Sequence, residues 1–256
     1  MVELNEILQI PQRCLVNKKI TKAFFKRNFD LTSAEKNLLD DFGIVKSIDW
    51  LASISPANAN IPSYSDNQKI YEEIVVINVH TVEKDFDKNK QKLAELIQKY
   101  IPYSVLICIF NEAIFCLNAC DKRINQNDHT KRTLETSYFT DNISRANPTD
   151  VQKSFLVSLR FPNLDKTNLK TYYDSFLQNI ISLKAAELNG TFVPRTKDRS
   201  EIDLQHLQKI ESLQKEITTL ENSVKKETQL NQRVNLNTQI HQKRIEIEFL
   251  KTQLTA

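Results

Sequence analysis

Glycine is almost missing from this sequence, occurring only at Gly43 and Gly190. Several nucleotide-binding and nucleophile motifs need glycine at fixed spacing, because the backbone there turns sharply or approaches a phosphate closely. The dinucleotide-binding G-x-G-x-x-G, the P-loop and the G-x-S-x-G elbow all fall in this class. None can be written with two isolated glycines, so P-loop nucleotide hydrolysis is excluded and we expect no small-molecule cofactor.

A second missing pattern is the carboxylate-x-lysine pair of restriction-type nucleases. In that pair both side chains lie on the same face of a strand and contact the same metal-bound water. Neither D-x-K nor E-x-K occurs in the chain. The nearest candidate, N-V-H at 78–80, lacks both charges. We therefore expect no catalytic site, and keep as an alternative a diverged metal-dependent nuclease with Asp49, Glu72 and Glu73 around its sheet.

Cysteine and histidine are too few and too poorly spaced for a metal centre. The sequence has four of each. Cys116 and Cys120 would lie about 13 Å apart on one strand, at roughly 3.3 Å per residue, which is too far for one zinc ion. We expect no metal site, and reduced structural thiols at Cys14, Cys108, Cys116 and Cys120.

Long apolar runs are also missing. The chain has no stretch of about 18 apolar residues, so no membrane span is expected. The opening MVELNEILQIPQ has early acids and no apolar core of a secretory signal. We expect a cytoplasmic protein.

The 256 residues, 40% of them apolar, suffice for one sizeable core with an appendage. Hydrophobic periodicity predicts an α+β fold, with a small antiparallel-rich β-sheet flanked by helices and followed by a C-terminal coiled-coil helix or helical hairpin. The predicted domains are a globular domain at 1–190, a linker at 191–201 and a coiled-coil tail at 202–256. Predicted helices cover 16–29, 88–101 and 169–185, and predicted strands cover 45–55, 70–82, 104–110, 113–120 and 131–139.

One further helix is predicted from its ends. Thr32 and Glu35 form a capping box, in which each side chain bonds the backbone N–H of the other residue. The apolar pattern then continues to Gly43, a natural left-handed C-terminal residue.

The tail has two apolar rows. Spacings of three and four define a coiled-coil seam that fails at Glu227. A helical hairpin turning near 227–231 and a continuous helix with a stutter, about 80 Å long at 1.5 Å per residue, both fit. We expect the interface to use Ile210, Leu213, Ile217, Leu220, Val224, Leu230, Val234, Ile247, Leu250 and Leu254, with Ile240 in the second row.

Positive charge is concentrated near the N-terminus. Residues 12–29 contain six cations and no acid, although the net charge of the chain is only +3. If 16–29 is a helix, three of the lysines lie four residues apart on one face. Such clustering suits contact with phosphates or an acidic partner, and a solvated helix face is the alternative. The candidate contacts are Arg13, Lys18, Lys19, Lys22, Lys26 and Arg27.

Three short motifs carry a resemblance to a known family. They are V-N-K-x-I-x-K-x-x-F at 16–25, I-P-Y at 101–103 before the hydrophobic hairpin, and N-x-x-V-x-L-N at 231–237. With these motifs the chain resembles the bacterial domain of unknown function 4391 family, over nearly its whole length except 121–162. The resemblance implies no established activity. It implies, through neighbouring helicase and DNA methyltransferase genes, an accessory role in DNA processing.

These observations lead to a functional hypothesis. We expect a non-enzymatic accessory or scaffold protein of a bacterial restriction or phage-defence system. Its coiled coil would bind a protein partner or a second copy, and its basic segment would contact DNA. A plain nucleic-acid-binding protein is a further alternative.

Overall fold

The structure, a computed structural model, describes residues 4–41, 44–128 and 131–254. It comprises two compact units, Met1–Ile180 and Ile181–Ala256. Within the described residues, none of the helices combines the length and the apolar character that crossing a membrane requires.

The elements follow in chain order. The strands are β1 (Leu15–Lys19), β2 (Val45–Ile54), β3 (Tyr64–Ser65), β4 (Ile70–Tyr71), β5 (Ile74–Thr81), β6 (Ser104–Phe110), β7 (Ile114–Ile124), β8 (Arg132–Phe139) and β9 (Ile143–Ser144). The helices are α1 (Leu4–Leu8), α2 (Lys22–Asn28), α3 (Ser33–Asp40), α4 (Pro56–Ala59), α5 (Phe86–Tyr100), α6 (Asp150–Ser158), α7 (Leu169–Asn189), α8 (Lys197–Lys226) and α9 (Leu230–Gln253).

The first unit is built on a mixed sheet with the strand order β1-β2-β5-β6-β7-β8, and β9 also pairs with β7. Every neighbouring pair is antiparallel except β5 and β6, which are parallel. Helix α5 makes the connection between these two strands, as a parallel pair requires. The predicted α+β class and the antiparallel-rich sheet are confirmed.

One face of the sheet carries the main core. The alternation predicted for 70–82 places Val75, Ile77 and Val79 on this face, where they are almost fully buried. The apolar side of α5, including Leu93 and Ile97, packs against the same cluster. A strand that packs one face against an amphipathic helix is the arrangement that these two sequence periods predict.

The predicted helix over 16–29 is wrong in its first half. Residues Leu15–Lys19 form β1, which pairs with β2, and α2 begins only at Lys22. Asn17 has a left-handed backbone (φ 50°), which interrupts a helix, and Thr21 caps α2 by accepting from the Phe24 N–H at 3.1 Å. The apolar repeat at 16, 20 and 24 therefore mixes a strand with a helix.

The capping box at α3 is present. Thr32 Oγ1 accepts from the Glu35 N–H at 3.3 Å, and Glu35 Oε2 accepts from the Thr32 N–H at 2.8 Å. Helix α3 ends at Asp40. The predicted stop at Gly43 lies outside the described residues.

The second unit contains the two tail helices, which pack together as a hairpin. Helix α8 ends at Lys226 and α9 begins at Leu230, so the chain turns within the segment 227–231 that the hairpin alternative named. Ion pairs such as Lys209–Glu246 and Lys243–Glu216 join the two helices in antiparallel order. Residues 191–196 of the predicted linker have no helix or strand, and α8 already begins at Lys197.

Candidate functional site

The second face of the sheet changes from apolar to polar towards the ends of β5 and β6. Ile74 and Val76 are fully buried on this face, whereas Asn78 and His80, farther along β5, are only partly buried. A cavity of about 420 Å³ opens here, and Asn78 and His80 line it. Carboxyl ends of parallel strands are a common place for ligand sites in sheets of this kind.

Cross-strand register assembles the cavity wall. Asp49 of β2 lies directly opposite Asn78, and Asn78 is in register with Cys108 of β6. Directly opposed residues project from the same face of a sheet. Asp49, Asn78 and Cys108 therefore form one row across three strands, and all three line the cavity.

A second row holds the aromatic and basic groups. The His80 ring stacks on Phe110, with centroids 4.8 Å apart and planes 8° apart, and the Arg145 guanidinium lies 5.1 Å from the same ring. His80 Nε2 is 3.2 Å from Glu112 Oε1, and Lys46 Nζ is 3.5 Å from that oxygen. The hydrogen bonds and charges of Lys46 and His80 lower the pKa of Glu112, so this carboxylate stays ionised.

Oxygen acceptors are conspicuous in the cavity. Asp49 Oδ2 accepts from Ser47 Oγ at 2.7 Å. The Oδ1 atoms of Asn78 and Asn5 are buried and have no hydrogen-bond donor in the part of the chain that the structure describes. Asn5, on α1, lines the same cavity.

The thiol in this cavity, Cys108, is not suited to act as a nucleophile. Cys108 is 4% exposed, and burial raises its pKa well above the ordinary value, so the thiol stays protonated and is a poor nucleophile. The four cysteines are free and buried. Across residues 4–41, 44–128 and 131–254, no group of three or more His, Cys, Asp or Glu could hold a metal ion.

The acids named for the nuclease alternative do not come together. Asp49 is opposite Asn78, whereas Glu72 and Glu73 precede the first residue of β5. Five or six residues of extended chain correspond to about 16–20 Å. Glu73 instead accepts a hydrogen bond from Ser53, so only Asp49 belongs to the cavity.

The six predicted cationic contacts are dispersed. Lys18 and Lys19 are exposed on β1, opposite Trp50 and Asp49 respectively, so these neighbours project from opposite faces of the sheet. Lys26 on α2 is bound to Asp40 at 2.6 Å. The expected single helical face of Lys18, Lys22 and Lys26 is therefore wrong, because a strand and a helix divide them. Lys22 is half-buried at the start of α2, and Arg13 and Arg27 are exposed.

Lysines on β1 also have a structural explanation. β1 is an edge of the sheet. Exposed lysines on an edge strand oppose pairing with another chain. Contact with nucleic acid stays a prediction for these residues.

The hairpin divides the ten predicted tail residues into two groups. Eight face the other helix and form its apolar core with Ile240: Ile210, Leu213, Ile217, Leu220, Val224, Ile247, Leu250 and Leu254. The remaining two, Leu230 and Val234, are 72% and 58% exposed.

Helix α9 therefore has a second apolar side. Ile245 and Phe249 are 57% and 61% exposed. Val234 and Ile245 are eleven residues apart, which is about three helical turns, and Leu230 and Phe249 lie one turn beyond them. At about 100° per residue, the buried Ile247 lies roughly 200° around the helix from Ile245. We call Leu230, Val234, Ile245 and Phe249 the outer row of α9.

Comparison with protein-family models matches residues 8–247 to the family described as Domain of unknown function (DUF4391). The chain belongs to the DUF4391 family. Neither the curated proteins nor the solved structures gave a match. Family membership confirms the resemblance drawn from the short motifs.

In this DUF4391 chain, the sequence patterns indicate only part of the cavity. The nuclease alternative names the segment 78–80 and Asp49, whereas no sequence pattern points to Asn5, Glu112 or Arg145. One signal was present: the apolar alternation of β5 turns polar at Asn78 and His80, before the strand ends. The other three side chains come from α1, a turn and the segment after β9, which no local pattern connects.

Proposed function

We propose that this DUF4391 chain is a non-enzymatic accessory or scaffold protein of a bacterial DNA-targeting defence system, and that it binds a protein partner through the outer row of α9. The observation that carries the proposal is the exposure of four large apolar side chains on the side of α9 that faces away from α8. The defence context comes from the association implied by the family.

A helix that is apolar on two sides is suited to packing between two neighbours. Inside the hairpin, α8 covers one side of α9. Burying an Ile, Leu or Phe side chain contributes roughly 1.5–3 kcal/mol, so leaving four of them in water is costly. A partner that covers the outer row recovers this free energy.

The chemistry of the row defines the partner. Its four residues extend over 19 residues of helix, about 28 Å at 1.5 Å per residue. Apolar side chains that are spaced by about one and three helical turns can pack against the apolar face of an amphipathic helix that lies along them. We propose a partner that presents such a helix.

Point variants in the full chain test this proposal. Leu230→Asp with Phe249→Asp should weaken binding to a co-expressed helicase or DNA methyltransferase, of the kind that the family resemblance implies as a neighbour, by at least tenfold, measured by calorimetry. The matched control is Gln232→Asp with Asn235→Asp, which adds the same charges to α9 at exposed polar positions. Unchanged binding of the outer-row variant, with normal helix content by circular dichroism, would refute the role of the row.

A second candidate, the diverged metal-dependent nuclease, is favoured by one observation. Asp49 lies beside Asn78 and His80 in one cavity, so a carboxylate of the kind that holds a catalytic metal ion is present there. Incubation of plasmid DNA with the chain and Mg²⁺ or Mn²⁺ tests it. Cleavage that Asp49→Asn abolishes would support the nuclease, and intact plasmid supports the accessory role.

A further inference from the structure

The cavity at the sheet end brings together more oxygen acceptors than the described donors satisfy. The buried Oδ1 atoms of Asn78 and Asn5 receive no hydrogen bond from any residue that the structure describes. An unsatisfied buried oxygen destabilises the folded state, because it loses its hydrogen bonds to water and gains none. Such groups call for a bound partner, which is a water, an ion or a ligand.

The position of Asp49 indicates which kind of partner these oxygens bind. Because Asp49 and Asn78 are directly opposed on antiparallel strands, their Cβ atoms are roughly 4.5–5.5 Å apart. Asn5 lines the same cavity from α1. One carboxylate and two amide groups therefore surround the same space, and a cation among them would relieve the mutual repulsion of their oxygens.

The neighbouring basic side chains do not already neutralise Asp49. Lys19, which lies opposite Asp49 on β1, is exposed, and no ion pair joins the two among the described residues. Lys46 and His80 are both bound to Glu112, at 3.5 and 3.2 Å. Arg145 lies over Phe110 and donates from Nη1 to the Asn111 carbonyl at 2.8 Å. Asp49 is bound by the neutral hydroxyl of Ser47, so its negative charge remains available to the cavity.

We propose that this cavity is a binding site for a divalent cation of the Mg²⁺ or Mn²⁺ class, with Asp49 and Asn78 as direct ligands and Asn5 as a third. Carboxylate and amide oxygens are hard ligands that suit these ions. Mg²⁺ usually takes one or two carboxylates from a protein and keeps several waters, so the site needs no cluster of three acids.

Binding of Mn²⁺ to the full chain is the direct test. Titration followed by the electron paramagnetic resonance of free Mn²⁺ should show one site per chain, with competition by Mg²⁺. Asp49→Asn should weaken binding more than tenfold. Asn78→Asp supplies a second carboxylate opposite Asp49 and should strengthen it by about tenfold. The control Glu72→Gln removes a carboxylate from the segment just before β5, outside the cavity, and should change nothing.

A stability measurement separates a ligand role from a structural one. Because Asn78 Oδ1 has no donor among the described residues, Asn78→Leu should melt no lower than the native chain without metal. The native chain should gain thermal stability with Mn²⁺, as any ligand of the folded state produces, and Asn78→Leu should not. Absence of Mn²⁺ binding, or binding that Asp49→Asn and Asn78→Leu leave unchanged, would overturn the proposal. Neither result bears on the outer row of α9, which a separate experiment tests.

Discussion

The Nζ atom of Lys122 donates a hydrogen bond to the carbonyl oxygen of Ile101 at 2.8 Å, and a second to that of Tyr103 at the same distance. Lys122 is only 6% exposed on β7, and Ile101 is the C-cap residue that follows α5. A lysine at the end of a helix satisfies carbonyls that have no partner within the helix. This contact ties the end of α5 to the sheet.

Lys122 should make the stability of the protein depend on alkaline pH. Burial lowers its pKa to about 7, whereas an unfolded lysine has a pKa of about 10.4. Between these values the unfolded chain binds more protons, so the free energy of unfolding should rise with pH. We expect this contribution, on the order of a few kcal/mol between pH 7 and 10, to disappear in Lys122→Met. Urea unfolding of both chains at several pH values measures it.

The difference in free energy of unfolding between the native chain and Lys122→Met isolates the lysine, because other groups also titrate between pH 7 and 10. Burial raises the pKa of Cys108 and Cys116, and these thiols lower the stability of both chains as the pH rises. Parallel stability curves for the native chain and Lys122→Met would contradict the prediction.

Glu35 should govern stability in acid. Burial alone would raise its pKa, but hydrogen bonds from Lys99, the Thr32 backbone and Tyr100 lower the pKa to about 2. An unfolded glutamate titrates near 4.3, so the stabilisation is complete above that pH and is lost as the pH falls towards 2. Glu35→Gln should lose about 3 kcal/mol at pH 7 and show less acid sensitivity, measured by thermal melts from pH 2 to 7. Glu95→Gln, exposed on α5, is the control.

Asp203 should hold the base of the hairpin together. It is fully buried, with Arg199 Nε at 2.9 Å and Arg195 Nε at 3.3 Å. These contacts are ion pairs without the geometry of hydrogen bonds. The same arginines donate to the carbonyls of Leu254 and Gln253 at the end of α9. Removing one partner of a buried ionic group typically costs about 3–5 kcal/mol.

We therefore expect Asp203→Ala to destabilise the tail by about that amount, with faster hydrogen exchange at the end of α9. The control is Glu201→Gln, which breaks an exposed pair with Lys197 at 3.9 Å and should cost less than about 1 kcal/mol. Equal exchange in the two variants would show that the buried acid does not hold α9.

The lysines of β1 allow a separate test of nucleic-acid binding. If Lys18 and Lys19 contact phosphates, replacing both by Ala should weaken duplex binding at low salt and reduce the salt slope by about two. Lys26→Ala should have a smaller effect, because Asp40 already binds that amine. Fluorescence anisotropy between 50 and 200 mM salt measures both slopes, and equal slopes for all chains would exclude β1 as the contact.

Two segments show how far a local pattern of apolar residues predicts this fold. The run 104–120 gave a hairpin because apolar strands flank a short polar turn, and β6 and β7 pair as expected. Around 16–29 the same reasoning failed. Val16, Ile20 and Phe24 satisfy a helical repeat, but Leu15–Lys19 extends because β2 offers it an edge to pair with. Strand formation depends on a partner that is distant in sequence.

The amino-acid sequence by itself determined the α+β class, the amphipathic helix predicted over 88–101, the hydrophobic hairpin and the helical, amphipathic character of the tail, because each follows from the period of apolar residues along a local segment. Only the tertiary structure decided that Asp49 meets Asn78 at a cavity and that α9 turns its outer row away from α8. Register between strands and the side on which two helices pack are set by contacts between remote residues, which no local periodicity contains.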